Sequence, residues 1–201
     1  MIKVLNLYAG IGGNRKLWED VEVTAVEINE EIASVYKSNF PKDNVIVGDA
    51  HQYLLEHYKE FDFIWSSPPC PTHSVLNYSM PFKRYPSMVL YQEILLLSSW
   101  FKGKYCVENV KPYYEPLIKP SVELGRHLFW TNFFVPVKEF SNIDVARSTV
   151  KELAADLDFP IPVCNKARLL LRNCLKPSIA GYIFDCAFSL KQTTLLKGSV
   201  E

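Results

Sequence analysis

The chain has 201 residues, 48% of them hydrophobic, and its 22 basic side chains balance 22 acidic ones. That is enough apolar surface for one buried core with a small appendage, and zero net charge excludes attraction of nucleic acid by the field of the whole molecule, leaving any such partner to a local basic face. Five cysteines, at 70, 106, 164, 174 and 186, make no C-x-x-C pair, and their odd number beside a start without signal-peptide character argues against zinc and disulfides and for a reducing, cytoplasmic setting.

Ile2 to Leu7 is a short apolar run ending at Tyr8-Ala9-Gly10-Ile11-Gly12-Gly13, and a helical pattern continues through Leu17 and Trp18; this reads as strand, tight glycine turn and helix. Val23 to Val26 is a second strand closing on Glu27, and Ile28 to Phe40 is helical, with Ile32, Val35 and Tyr36 on one face. Val45-Ile46-Val47 makes a third strand closing on Gly48-Asp49, and Phe61 to Trp65 a fourth, running into Ser66-Ser67-Pro68-Pro69-Cys70-Pro71. Met88 to Phe101 is a helix whose apolar run, interrupted by Gln92 and Glu93, is too short to span a bilayer. Tyr105 to Val107 is a fifth strand closing on Glu108-Asn109. Strands alternating with helices predict an α/β fold, a doubly wound parallel sheet with helices on both faces and right-handed crossovers.

The predicted strands end, in order, on the glycine turn, Glu27, Asp49, Cys70 and Glu108, at the sheet edge where open α/β folds bind ligands. The glycine turn admits a ligand close to the backbone, and the helix after it offers unpaired amide donors. Glu27 is suited to accept from two ribose hydroxyls and Asp49 from an adenine amine, although either could be an ordinary helix cap. The prolines around Cys70 present its thiol on a stiff loop, as a nucleophile requires; the alternative is a small buried hydrophobe. Glu108 could act as an acid beside that thiol, or merely cap the next segment. His51, His57 and His73 have no ligand-like spacing, so no metal is expected.

In order and spacing, these segments resemble the cytosine-C5 DNA methyltransferase family, over about three quarters of the chain. Asn6 to Gly13 looks like its first cofactor motif, with Tyr8 where phenylalanine is usual; Glu27 resembles its ribose-binding acid and Gly48-Asp49 its adenine-binding turn. Pro69-Cys70-Pro71 is similar to the Pro-Cys-Gln nucleophile motif, Glu108-Asn109-Val110 to Glu-Asn-Val, and Arg172-Asn173-Cys174-Leu175 to a segment that opens a C-terminal helix beside the cofactor. The resemblance implies S-adenosylmethionine held by Tyr8, Ala9, Gly10, Ile11, Gly12, Glu27, Ile28, Asp49, Ala50, Pro69, Asn173 and Cys174. It implies Cys70 as nucleophile toward C6 of a cytosine flipped out of DNA, Glu108 as the acid at N3, and Arg126, from a partial Gln-x-Arg-x-Arg motif, at the base. Substrate contacts are expected from Ser74, Asn77, Lys83, Arg84, Asn109, His127 and Arg172, with residues 75–87 as the loop that closes over DNA.

The chain departs from the family at Pro71, where glutamine is usual, and at Arg172, where glycine is usual. It also has only about a dozen residues between the strand ending near Val135 and the helix starting near Thr149, where sequence-reading members insert a recognition domain. The expected organisation is a cofactor-binding catalytic core over 1–135, a short remnant over 136–150, and C-terminal helices over 151–190. The expected activity is methylation of cytosine C5 in DNA with a short or weak site preference, or with a separate recognition subunit. Two rivals remain: the same chemistry on tRNA, and a cofactor-binding subunit of a split enzyme.

Overall fold

The computed structural model describes residues 1–74, 82, 84–141, 143–162 and 165–188. One seven-stranded sheet organises them. Its strands are β1 (Ile2–Leu7), β2 (Val21–Glu27), β3 (Asn44–Val47), β4 (Phe63–Ser66), β5 (Lys104–Val110), β6 (Val122–Leu124) and β7 (His127–Thr131), in the spatial order β3-β2-β1-β4-β5-β7-β6. The first five run parallel, and the order reverses between β1 and β4. β7 is antiparallel to both β5 and β6, so the all-parallel expectation holds only for the first half. The cause is a two-residue hairpin turn, Gly125-Arg126, in which Gly125 takes φ +60°. A glycine at that position matches the twist of a tight hairpin.

Helices cover both faces. On one side α2 (Ala50–His57) and α3 (Val89–Trp100) bury Leu54, Leu90, Ile94 and Leu97 against Leu5, Leu7, Ile64 and Val107. On the other, α1 (Glu30–Asn39) sets Tyr36 against Ala25, and α6 (Pro177–Phe188) sets Ile179, Ile183 and Phe184 against Phe63, Trp65 and Phe129. Alternate strand residues face opposite layers, which is why these two apolar sets do not overlap. Two shorter helices, α4 (Val150–Leu157) and α5 (Ala167–Asn173), pack with Ile11 and Phe159 beside α1. Thr149 and Glu152 form a full capping box at the start of α4.

No helix follows the glycine turn, contrary to the sequence reading. Gly12 N–H donates to Ala9 O, Arg15 N–H to Gly12 O and Trp18 N–H to Arg15 O, at 3.0–3.1 Å, giving successive three-residue turns. Tyr8, Gly10 and Gly12 all have positive φ, which no right-handed helix can include. Arg15 is then tied down by Asp43 at 2.8 and 3.1 Å and by Trp18 O at 2.6 Å. Trp18 stacks on Phe184 of α6, centroids 5.2 Å apart, and plugs the core, while its neighbour Leu17 stays exposed. The helix N-terminus expected to supply amide donors is therefore not formed, and within the turn the amides of Ala9, Gly10 and Gly12 are taken by Val26 O, Glu27 Oε2 and Ala9 O.

Candidate active site

The segment after β4 carries the thiol. Ser66 ends the strand, and four residues later Cys70 lies half-buried, its carbonyl accepting from the amides of His73 and Ser74 at 2.9 Å each. That turn orients the loop from one side, and Asn109 holds the other, its Nδ2 donating to Pro68 O at 2.9 Å. Asn109 is buried, and this bond uses one of its two amide N–H groups to hold the Cys70 loop.

Glu108 stands beside this loop. It lies within β5 and not at its end, because pairing with β7 carries the strand on to Val110. The Ser67 hydroxyl acts on its carboxyl, favouring the ionised form, and Ser67 accepts from Trp65 Nε1 at 2.9 Å. Burial pushes the Glu108 carboxyl up to about 7, against the lowering effects of Ser67 and Arg126. The Cys70 thiol is also raised, first by burial and then by the Glu108 charge, while Arg126 pulls it back down. Arg126 feels both groups, and its NH2 donates to Arg172 O at 2.7 Å, which ties the hairpin turn to the end of α5. Thiol, carboxyl and guanidinium thus share one field. His127 lies behind them, buried, with Nε2 3.6 Å from Glu108 Oε1. Burial, and then Arg126, push it down to about 3, which favours the neutral ring at ordinary pH.

A second set of residues lies on the far side of β1. Glu27 Oε2 accepts from Gly10 N–H at 3.1 Å and Oε1 from Asn29 N–H at 3.0 Å, so both carboxylate oxygens are fixed by backbone. A Cβ at Gly10 would meet nothing within 4 Å, which leaves an open cradle beside that carboxylate. Ile28, 70% exposed, offers an apolar face next to it, and Pro69 is exposed at the neighbouring loop. Asp49 caps α2, its Oδ1 accepting from Gln52 N–H at 2.9 Å; the helix-cap alternative is realised there. Ala50, the first residue of α2, is buried. An adenosine-containing cofactor fits this donor and acceptor set. Its hydroxyls would meet Glu27 across the open space at Gly10, and a flat base would lie on Ile28.

The segment 172–175 runs from the last residues of α5 toward α6, and it closes on the glycine turn. A Cβ on Gly13 would fall 2.0 Å from Cys174 Sγ and 2.6 Å from Leu175 O. Only glycine permits that approach. Asn173 is exposed there, and burial pushes the Cys174 thiol up to about 12. Of the expected substrate contacts, Ser74 forms a bridge with Pro112, and Arg84 is exposed with its carbonyl accepting from Tyr113 Oη at 3.4 Å. Asn77 and Lys83 lie outside the described residues. Among the basic side chains, Lys111 pairs with Glu123, Lys176 with Asp156 at 2.6 Å, and Arg168 donates to Ala146 O and Ser148 O. Among the described residues no helix is long and apolar enough to cross a membrane, and no cluster could hold a metal ion.

Two features escaped the sequence reading. Ser67 was hidden in a run of small residues before the prolines. Glu93 stood out only as a charge interrupting an apolar helix, and the helical period alone would have aimed it inward.

Residues 2–114 match the family described as C-5 cytosine-specific DNA methylase. A type II methyltransferase, M.Bsp6I, from Bacillus sp. (strain RFL6) is 33% identical over 116 residues, 55% of this chain and 36% of that protein. A tRNA (cytosine(38)-C(5))-methyltransferase from Spodoptera frugiperda is 40% identical over 75 residues, 34% of this chain and 23% of the relative. The crystal structure of a DNMT2 triple mutant from the same insect covers 55% of this chain and 36% of that one, with 32% identity and a TM-score of 0.40. The chain thus spans about a quarter to a third of the length of the curated relatives it matches. The matched stretch takes in the glycine turn, Glu27, Cys70 and Glu108, and the chain belongs to the C-5 cytosine-specific DNA methylase family.

Proposed function

We propose that this chain methylates C5 of cytosine in DNA from S-adenosylmethionine, through a transient bond between Cys70 and C6 of a base flipped from the helix. The observation that carries the reading is the shared field of Cys70, Glu108 and Arg126 at the sheet edge. When bound, S-adenosylmethionine supplies an electrophilic methyl group on a sulfonium sulfur, which C5 takes up. Everything else falls to the protein. Cys70 Sγ, as thiolate, forms a bond to C6, and Glu108 delivers its proton to N3, so the added electron pair reaches C5. A carboxyl near 7 holds that proton at neutral pH and can take it back. When the C5 proton leaves to a base, the Cys70–C6 bond breaks, and both Cys70 and Glu108 return to their starting states. Arg126 offsets the negative charge on whichever of the two is ionised.

The turn at 8–13, Glu27 and Ile28 would hold the donor, with Asp49 contributing its uncapped oxygen. Only irregular chain separates Thr131 from Thr149 among the described residues, too little for an independent module that fills a major groove. We therefore assign the chain a short or weak site preference, or a separate recognition subunit. The tRNA reading has its own support in the relative from Spodoptera frugiperda.

Trapping on 5-fluorocytosine tests all of this. Duplex DNA and tRNA carrying the fluorinated base are each incubated with protein and donor. A covalent adduct on DNA, absent for Cys70→Ala, is expected. An adduct on tRNA alone moves the substrate to RNA, and no adduct on either sinks the covalent mechanism.

A further inference from the structure

Glu93 is a charged residue inside α3 with 0% exposure, and neither the nucleophile nor the base site uses it. A buried carboxylate is costly unless several donors surround it. Here three side chains from three separate segments do so. Tyr8 Oη donates to Glu93 Oε1 at 2.7 Å, His51 Nδ1 lies 3.0 Å from the same oxygen, and Ser66 Oγ donates to Oε2.

Each of those segments leads to the donor cradle. Tyr8 opens the glycine turn and has φ +56°, a left-handed conformation that costs a side-chain-bearing residue about 1–2 kcal/mol. Its bond to Glu93 helps hold that conformation. His51 sits in the first turn of α2, two residues after Asp49. Ser66 closes β4 and starts the loop to Pro69 and Cys70. The glycine turn, the adenine-side helix and the nucleophile loop are therefore pinned to one carboxylate from beneath. Phenylalanine, usual at the Tyr8 position, could not make its part of the link.

We propose that Glu93 is a positioning residue for the methyl donor: it sets the relative placement of Tyr8, His51 and Ser66, and through them the affinity of the cradle. This rests on the cofactor assignment above, not on the identity of the nucleic acid. An amide in its place keeps the shape but offers one acceptor oxygen where Glu93 has two, so the partner facing its NH2 must turn from donor to acceptor and the remaining bonds lose a carboxylate acceptor.

The test is titration of purified full-length protein with S-adenosylhomocysteine by calorimetry, alongside circular dichroism. Glu93→Gln should weaken binding about tenfold, the scale of one weakened carboxylate hydrogen bond, at temperatures where its spectrum overlays the wild type. Tyr8→Phe, which keeps the ring in place, should weaken binding severalfold, and the double variant should be little worse than Glu93→Gln alone. In methyl transfer the donor KM should rise, with kcat at saturating donor largely retained. Unchanged affinity in both single variants, or a lowered kcat with an unchanged donor KM, overturns the proposal. Wild-type protein that binds S-adenosylhomocysteine but modifies no cytosine would instead remove the proposed reaction and leave this inference intact.

Discussion

His127 Nε2 and Glu108 Oε1 lie 3.6 Å apart, and the same burial drives the two groups in opposite directions, the imidazole down to about 3 and the carboxyl up to about 7. Both departures favour the uncharged form. Their contributions to stability therefore carry opposite signs as pH falls.

A depressed histidine contributes stability that is present above its ordinary pKa of 6.5 and is lost as pH falls toward 3. A raised carboxyl does the reverse: Glu108 takes up a proton in the folded state between 7 and 4.5 and gains stability as pH falls through that window. Between 6.5 and 4.5 the two slopes oppose each other. Glu108→Gln should unmask the histidine, giving a loss of about 1.4 kcal/mol per pH unit. Urea unfolding at pH steps through this window checks it; parallel slopes in variant and wild type would count against the assignment.

The same carboxyl should shape the rate profile. With Glu108 near 7 and the Cys70 thiol raised above its ordinary 9, covalent capture needs the protonated acid and the thiolate together. The rate is expected to rise with pH to about 7, level off, and fall once the thiol has ionised. In Glu108→Gln the break near 7 should vanish, with the rate lower overall by about 100-fold or more. Single-turnover trapping on 5-fluorocytosine DNA across pH reads this directly.

Arg126 lowers both Glu108 and Cys70. Arg126→Ala should move both breaks of that profile to higher pH and slow capture at neutral pH by about tenfold or more. It should also free Arg172 O from its 2.7 Å hydrogen bond, loosening the end of α5. A thiol-reactivity titration of Cys70 that is unmoved in the variant would contradict this.

Gly13→Ala places a methyl carbon 2.0 Å from Cys174 Sγ and 2.6 Å from Leu175 O. Because one of those neighbours is backbone, the C-terminal segment must shift. A loss of about 1–3 kcal/mol is expected, with weaker donor binding because the displaced segment borders the turn. Denaturant unfolding and S-adenosylhomocysteine titration measure the two effects separately.

The first half of the fold was legible because its strands are short apolar runs alternating with helices of clear period. The β6–β7 hairpin was not, since its register depends on Gly125 and on a long-range partner, β5, that local pattern cannot reveal. The helix read after the glycine turn failed for a related reason: Leu17 and Trp18 fit a helical face, yet three positive φ angles and the tether between Arg15 and Asp43 decide the path. Cys70 and Glu108 could be read from their places after apolar runs. The burial of Asn109 and His127 could not be read, because it depends on chain segments distant in sequence that pack around them.

Glu27 carries one further consequence. With each oxygen already held by a main-chain N–H, the carboxylate cannot swivel to suit its guest, and only its remaining lone pairs face outward. Under the proposed function, a vicinal diol satisfies both at once, while a 2′-deoxy analogue leaves one dry and unanswered. Discrimination between ribose and deoxyribose then arises from the rigidity that those two main-chain bonds impose, not from any closing motion.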